Sequence, residues 1–171
     1  MKVVVGTNHL KAGGTSLAVA QIIWHPAYNP QSITNDIALL KLAGSITYST
    51  KVNLISLATT TPSPGAQTIL TGWGLTRYPG RDLPDPLQFI NLRVISTSQC
   101  KTRWNQISSK QVCTYNAPGK GACQGDSGGP LVLGGQQVGI VSFGMPCARG
   151  SPDVFTSVAA FRPWIKQHSG A

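Results

Sequence analysis

The chain has 171 residues, 41% of them hydrophobic and 11% charged, with 14 lysines and arginines against 5 acids. That is enough to bury one full core, and no apolar stretch is long enough to span a membrane. A net charge of +9 raises nucleic-acid binding, but the basic residues are scattered, without a basic run or helix, so no nucleic-acid partner is expected.

In chain order, the pattern predicts an all-β protein. Residues 1–6 carry too short an apolar run for a secretory leader. Strands are expected at 2–5, 17–24 and 37–42, followed by a linker at 58–65 rich in Thr, Ser and Pro. Strands resume at 67–73, 87–95, 111–114, 130–133, 137–143 and 153–156, separated by turns of Gly, Pro and Asn. A short helix at 159–167 ends the chain, with Phe161, Trp164 and Ile165 on one face. There are no internal repeats.

The most informative stretch is Gly125-Asp126-Ser127-Gly128-Gly129-Pro130. A serine hydroxyl is a poor nucleophile unless a base activates it and backbone N–H groups receive the oxyanion it creates. Glycines on both sides let the backbone turn sharply enough to aim those donors. The pattern Gly125-x-Ser127-x-Gly129 also satisfies the nucleophile elbow of α/β-hydrolases, with Asp153 and His168 following in that order. An elbow serine must open a helix, whereas 130–133, the Gly134-Gly135 turn and 137–143 read as a hairpin, and strands do not alternate with helices.

Four further segments occur in one order with the hexapeptide: Asn35-Asp36-Ile37-Ala38-Leu39-Leu40, Thr71-Gly72-Trp73-Gly74, Val138-Gly139-Ile140-Val141-Ser142-Phe143-Gly144 and Pro163-Trp164-Ile165. Together they resemble the chymotrypsin/trypsin family of serine endopeptidases over essentially the whole chain. The resemblance implies two Greek-key β-barrels with the active site between them. Residues 1–60 would be the remaining half of the first barrel, and 61–171 the second barrel plus the terminal helix.

The resemblance also implies roles. Ser127 would be the nucleophile, Asp36 the buried acid that orients a histidine, and the N–H groups of Gly125 and Ser127 the oxyanion hole. Ser142, Phe143 and Gly144 would line the substrate backbone. Asp126 would be the carboxylate that receives a new N-terminal amine after zymogen cleavage. Gly121 and Asp153 would form the floor of the primary pocket, with Gly144 leaving its entrance open to a large side chain. Gly121 with Asp153 is similar to chymotrypsin-like invertebrate digestive proteases. An apolar or aromatic residue before the scissile bond is the first expectation, and a mixed or basic preference the second.

The departure lies in the histidines. The family's Ile-Val-Gly-Gly-like and Ala-Ala-His-Cys-like segments are absent, and none of His9, His25 and His168 occupies the family's catalytic position. N-terminal truncation is therefore expected, and the chain alone is expected to be inactive or nearly so. A non-catalytic homologue that uses the cleft to hold a partner is the competing reading, though it has no need of Ser127, Asp36 and the oxyanion glycines together.

Four cysteines suit an oxidising, extracellular compartment. No Cys-x-x-Cys pair exists and no histidine is placed beside them, so neither a zinc site nor any other metal or cofactor is expected. Resemblance pairs Cys100 with Cys113, clipping a helical segment at 97–103, and Cys123 with Cys147, bracing two walls of the pocket. The expected partners are protein or peptide substrates and protein protease inhibitors.

Overall fold

The structure is a computed structural model and describes residues 1–170. It contains two sheets. β1 (Lys2–Val5), β2 (Thr15–Trp24) and β3 (Ala38–Leu42) form an antiparallel three-stranded sheet in that order. Their valines, isoleucines and leucines suit a pleated surface, and pairing Val3 with Leu17 and Ile23 with Leu39 fixes which faces meet. Gly14, at φ +74°, turns β1 into β2, and a β-carbon there would meet the Val5 carbonyl oxygen at 2.7 Å. Ile22 lies opposite Leu40, and the two are 44% and 43% exposed. Trp24, two residues along β2 and on the same face, is 69% exposed.

The second sheet starts with β4 (Ser56–Leu57) and continues with β5 (Gln67–Gly72) and β6 (Gln88–Ile95). The short helix α1 (Thr97–Lys101) comes next, then β7 (Gln111–Thr114), β8 (Pro130–Leu133), β9 (Gln136–Phe143) and β10 (Asp153–Ser157). The strand order is β10-β7-β6-β5-β8-β9, and a further β9–β10 pairing closes the sheet into a six-stranded barrel. β4 adds to β9 in parallel. Closure turns the strands' apolar faces inward around Leu92, Leu131 and Phe155, all fully buried, with Leu70, Val94, Val112, Val138 and Val141 around them.

α2 (Val158–Ser169) follows β10 directly. Ser157 caps it by accepting from the Ala160 N–H, and Gly170, left-handed at φ +75°, ends it. Its buried face of Val158, Phe161 and Ile165 packs on Ile37, just before β3, on Leu39 of the first sheet, and on Leu57 and Ile140 of the second. The two sheets are thus joined through the last element of the chain.

The expected elements are present with shifted ends. α1 stops at Lys101 rather than 103, because Thr102 is already its cap. β2 starts two residues earlier than expected, and α2 is extended at both ends. β4 was not expected; at two residues it has no period to read.

Candidate active site

Ser127 sits exposed at the apex of a tight loop between Cys123 and β8. The loop is held by Asp126 N–H to Cys123 O at 3.1 Å, Gly129 N–H to Asp126 O at 2.9 Å and Gly128 N–H to Val141 O at 2.9 Å. Gly125 has φ +100°, a conformation that L side chains rarely adopt, and its missing side chain is a packing need as well. A β-carbon there would meet Gly74 Cα and Leu83 Cδ2, each at 3.1 Å. Among the described residues, neither the Gly125 nor the Ser127 N–H donates to a protein acceptor. Such free donors beside a serine are what oxyanion stabilisation requires. A strand, not a helix, follows the serine, so the hydrolase elbow is excluded.

Asp36 lies just before β3. It was expected to be buried, but it is only partly so, because it borders a cavity of about 730 Å³ that Ser127 also lines. Its Oδ2 accepts from Ser142 Oγ at 2.7 Å, and its backbone carbonyl accepts from Thr156 Oγ1 at 2.7 Å. Both hydroxyls come from the barrel, more than 100 residues away. Sequence reasoning had placed Ser142 only along the substrate edge and had missed Thr156. Neither contact leaves a local signal, since it depends on how the sheets dock.

All three histidine rings are engaged elsewhere. His9 Nδ1 pairs with Asp85 Oδ2 at 2.7 Å, which holds the Asp85 carboxyl below the usual carboxylate range. Asp85 also accepts from the Lys11 N–H at 2.9 Å through Oδ1. Its carbonyl accepts from the Leu10 N–H and from Trp73 Nε1. His25 packs against Phe161 and Trp164, with centroids 5.4 and 5.3 Å apart. His168 packs on the Trp164 ring at 4.8 Å and bonds the Trp164 carbonyl through Nδ1 at 2.8 Å.

The Asp126 side chain turns away from the serine. Its Oδ1 accepts from the Gly74 N–H at 2.8 Å and its Oδ2 from the Cys123 N–H at 3.0 Å. It occupies the space that side chains at Gly72 and Gly74 would need. The Thr71-Gly72-Trp73-Gly74 motif therefore leaves room for this carboxylate.

A second cavity, of about 210 Å³, runs from Ser127 past Ser142, Phe143 and Gly144 to Asp153. Asp153 is 4% exposed, and its Oδ2 accepts from the Ala122 N–H at 2.7 Å. Burial pushes its carboxyl up to about 7; the Ala122 hydrogen bond opposes this and the neighbouring Asp126 charge adds to it. Gly121 borders the same carboxylate: a β-carbon there would fall on Asp153 Oδ2. A β-carbon at Gly144, expected to matter at the entrance, would meet Asp153 Oδ1 at 2.9 Å, so this glycine also makes room for the Asp153 carboxyl. Phe143 sits edge-on against Trp104.

Both disulfides are formed, Cys100–Cys113 with a Cα separation of 6.2 Å and Cys123–Cys147 with 4.1 Å. The second ties the loop before Ser127 to the loop after Gly144.

Comparison with known proteins agrees with this architecture. The family model described as Trypsin matches residues 1–165. Trypsin delta of Drosophila melanogaster is 39% identical over 170 residues, which is 96% of this chain and 67% of that protein. Trypsin alpha-4 of Lucilia cuprina is also 39% identical over 170 residues, 96% of this chain and 66% of its own length. Among solved structures, neuropsin, a serine protease expressed in the limbic system of mouse brain, superposes with a TM-score of 0.93 at 33% identity. That match covers 98% of this chain and 78% of neuropsin. The chain belongs to the trypsin family of serine proteases. It spans about two thirds of the length of the fly trypsins. Those relatives carry the name trypsin, so the chymotrypsin-like reading of the pocket rests on Gly121 and Asp153.

Proposed function

We propose that this chain carries the nucleophile, the acid, the oxyanion donors and the primary pocket of a secreted serine endopeptidase, and that the general-base histidine is not among its 171 residues. Ser127 attacks the scissile carbonyl, and the N–H groups of Gly125 and Ser127 receive the oxyanion. Asp36 orients the imidazole, and Gly121, Ser142, Phe143, Gly144 and Asp153 hold the substrate. Asp126 stabilises the loop and is the site for an N-terminal amine. The chain divides at about residue 60 into an incomplete first barrel and a complete second one. Its substrates are proteins or peptides, and protein inhibitors of proteases would compete for the same cleft.

The observation that carries this reading is the shared cavity of Asp36 and Ser127, both of which border it while all three histidines are engaged elsewhere. The exposed apolar face of Ile22, Trp24 and Leu40 supports the incomplete barrel, since completed barrels bury such faces.

A burst assay with an aromatic peptide ester tests it, using the 171-residue chain, its Ser127→Ala variant, and a longer form carrying an upstream Ala-Ala-His-Cys-like segment. The short chain should match its Ser127→Ala control within a small factor, and the longer form should turn over in a Ser127-dependent way. Robust Ser127-dependent turnover by the short chain would show that one of its own histidines serves. A longer form that stays inert would favour a non-catalytic homologue.

A further inference from the structure

We propose that the segment between β4 and β5 is a glycosylation site, with N-acetylhexosamine carried on the hydroxyls of Thr59, Thr60 and Ser63 and not on that of Thr61. This rests on the reading of the chain as a secreted protein, because nucleotide-activated sugars meet such hydroxyls in the secretory pathway.

Residues 58–66 belong to no helix or strand. Their sequence, Ala58-Thr59-Thr60-Thr61-Pro62-Ser63-Pro64-Gly65-Ala66, interleaves hydroxyls with prolines, the composition of segments that carry O-linked sugars. Composition alone does not single out a hydroxyl; the geometry does. Pro62 and Pro64 border a cavity of about 390 Å³ together with Val94 and Val112, so the prolines lie against the barrel. The Gly65 N–H donates to Val94 O at 2.8 Å and the Ala66 N–H to Ser63 O at 3.1 Å, which pins the far end of the segment. Proline lacks an N–H and biases the residue before it toward extended backbone, so Thr61 and Ser63 are kept out of helical turns.

The four hydroxyls differ in what they touch. Thr59, Thr60 and Ser63 are exposed, and among the described residues none of their hydroxyls has a hydrogen-bond partner. Thr61 Oγ1 lies 3.3 Å from Ser157 Oγ, the side chain that caps α2, and is already engaged. No charged residue occurs from 52 to 76, so neither an ion pair nor a like charge bars an approaching enzyme. A glycosyltransferase can draw such an extended, solvent-facing segment into its cleft without opening the barrel. In the transfer, the hydroxyl oxygen bonds to the anomeric carbon of a nucleotide-activated N-acetylhexosamine as the bond from that carbon to phosphate breaks. The nucleoside diphosphate leaves, and the hydroxyl proton passes to solvent.

The test is the intact mass of the chain secreted from insect cells behind an added leader. The mass should exceed that of the polypeptide by whole N-acetylhexosamine units, and electron-transfer fragmentation should place them at Thr59, Thr60 or Ser63. The triple variant Thr59→Ala, Thr60→Ala, Ser63→Ala should lose the increment, whereas Thr61→Ala should keep it. Should the chain fail to be secreted, refolded chain is incubated with a polypeptide N-acetylgalactosaminyltransferase and its nucleotide sugar, with the same masses expected. A bare polypeptide mass beside a mucin peptide modified in the same preparation would overturn the proposal. Sugars on Thr61 or outside the segment in place of the three hydroxyls, or a phosphate increment on them, would overturn it as well. A bare mass with Ser127-dependent cleavage by the longer form would reject this inference and leave the protease reading intact. A modified chain whose longer form stays inert would do the reverse.

Discussion

The Asp153 carboxyl fills the volume that a side chain at Gly121 would otherwise occupy. The two positions therefore cannot both carry a side chain without movement. Gly121→Ala would also press on Ala148 Cβ at 2.7 Å. It should destabilise the chain by about 1–3 kcal/mol, the usual cost of overpacking. Combining it with Asp153→Gly should recover most of the loss. Thermal unfolding of the two variants checks this, and an unchanged midpoint for the single variant would contradict the packing described.

Stability should fall as the pH rises through neutrality. Asp153 has a raised folded pKa, so the native state holds a proton there that the unfolded chain gives up near pH 4. Its contribution is complete below about pH 4 and is lost as the pH climbs through about 7. The decline should be of the order of a few kcal/mol. Urea unfolding at pH 5, 6, 7 and 8 measures it, and Asp153→Asn should flatten the series.

Ser142→Ala should loosen Asp36. The variant deletes the donor at 2.7 Å from Oδ2 and leaves one carboxylate oxygen to solvent. A cost of about 1–2 kcal/mol in denaturant unfolding is expected, toward the low end for a hydrogen bond to a charged group because the site is only partly buried. A longer form with turnover should lose kcat more than KM, since the Ser142 hydroxyl acts through the acid while its backbone lies along the substrate. An effect on KM alone would place the hydroxyl at the substrate as well.

Replacing Cys100 and Cys113 together by alanine should cost about 3 kcal/mol, the value for closing a loop of this size. Cys100 is fully buried beside Ile107 and Val154, so lost packing adds to that figure. Guanidine unfolding of oxidised protein and double variant makes the comparison. No difference in midpoint would mean that α1 is held by its capping box of Ser96 and Gln99 alone.

Where a residue's role depends on its own neighbours, the sequence was readable. The glycines around Ser127 announce a turn, the strands of the barrel show in their β-branched runs, and Phe161, Trp164 and Ile165 mark a helix with one apolar face. What escaped reading depends on docking. His9 meets Asp85 across 76 positions, and Asp36 meets Ser142 across 106. No period or spacing links such pairs; only the closed barrel brings them together. The burial of Asp36 was misjudged for the same reason, because its exposure is set by what lies over the cavity and not by the Asn35-Asp36-Ile37 segment itself.

The way α2 joins the two sheets makes the acid depend on a distant part of the chain. Thr156 holds the Asp36 backbone, and Val158, Phe161 and Ile165 bury the Ile37 beside it. The serine loop, by contrast, is held by its own bonds among Cys123, Asp126, Gly129 and Val141. Loosening α2 would therefore unseat Asp36 while leaving Ser127 in place, so the two groups that share a cavity can be uncoupled without touching either.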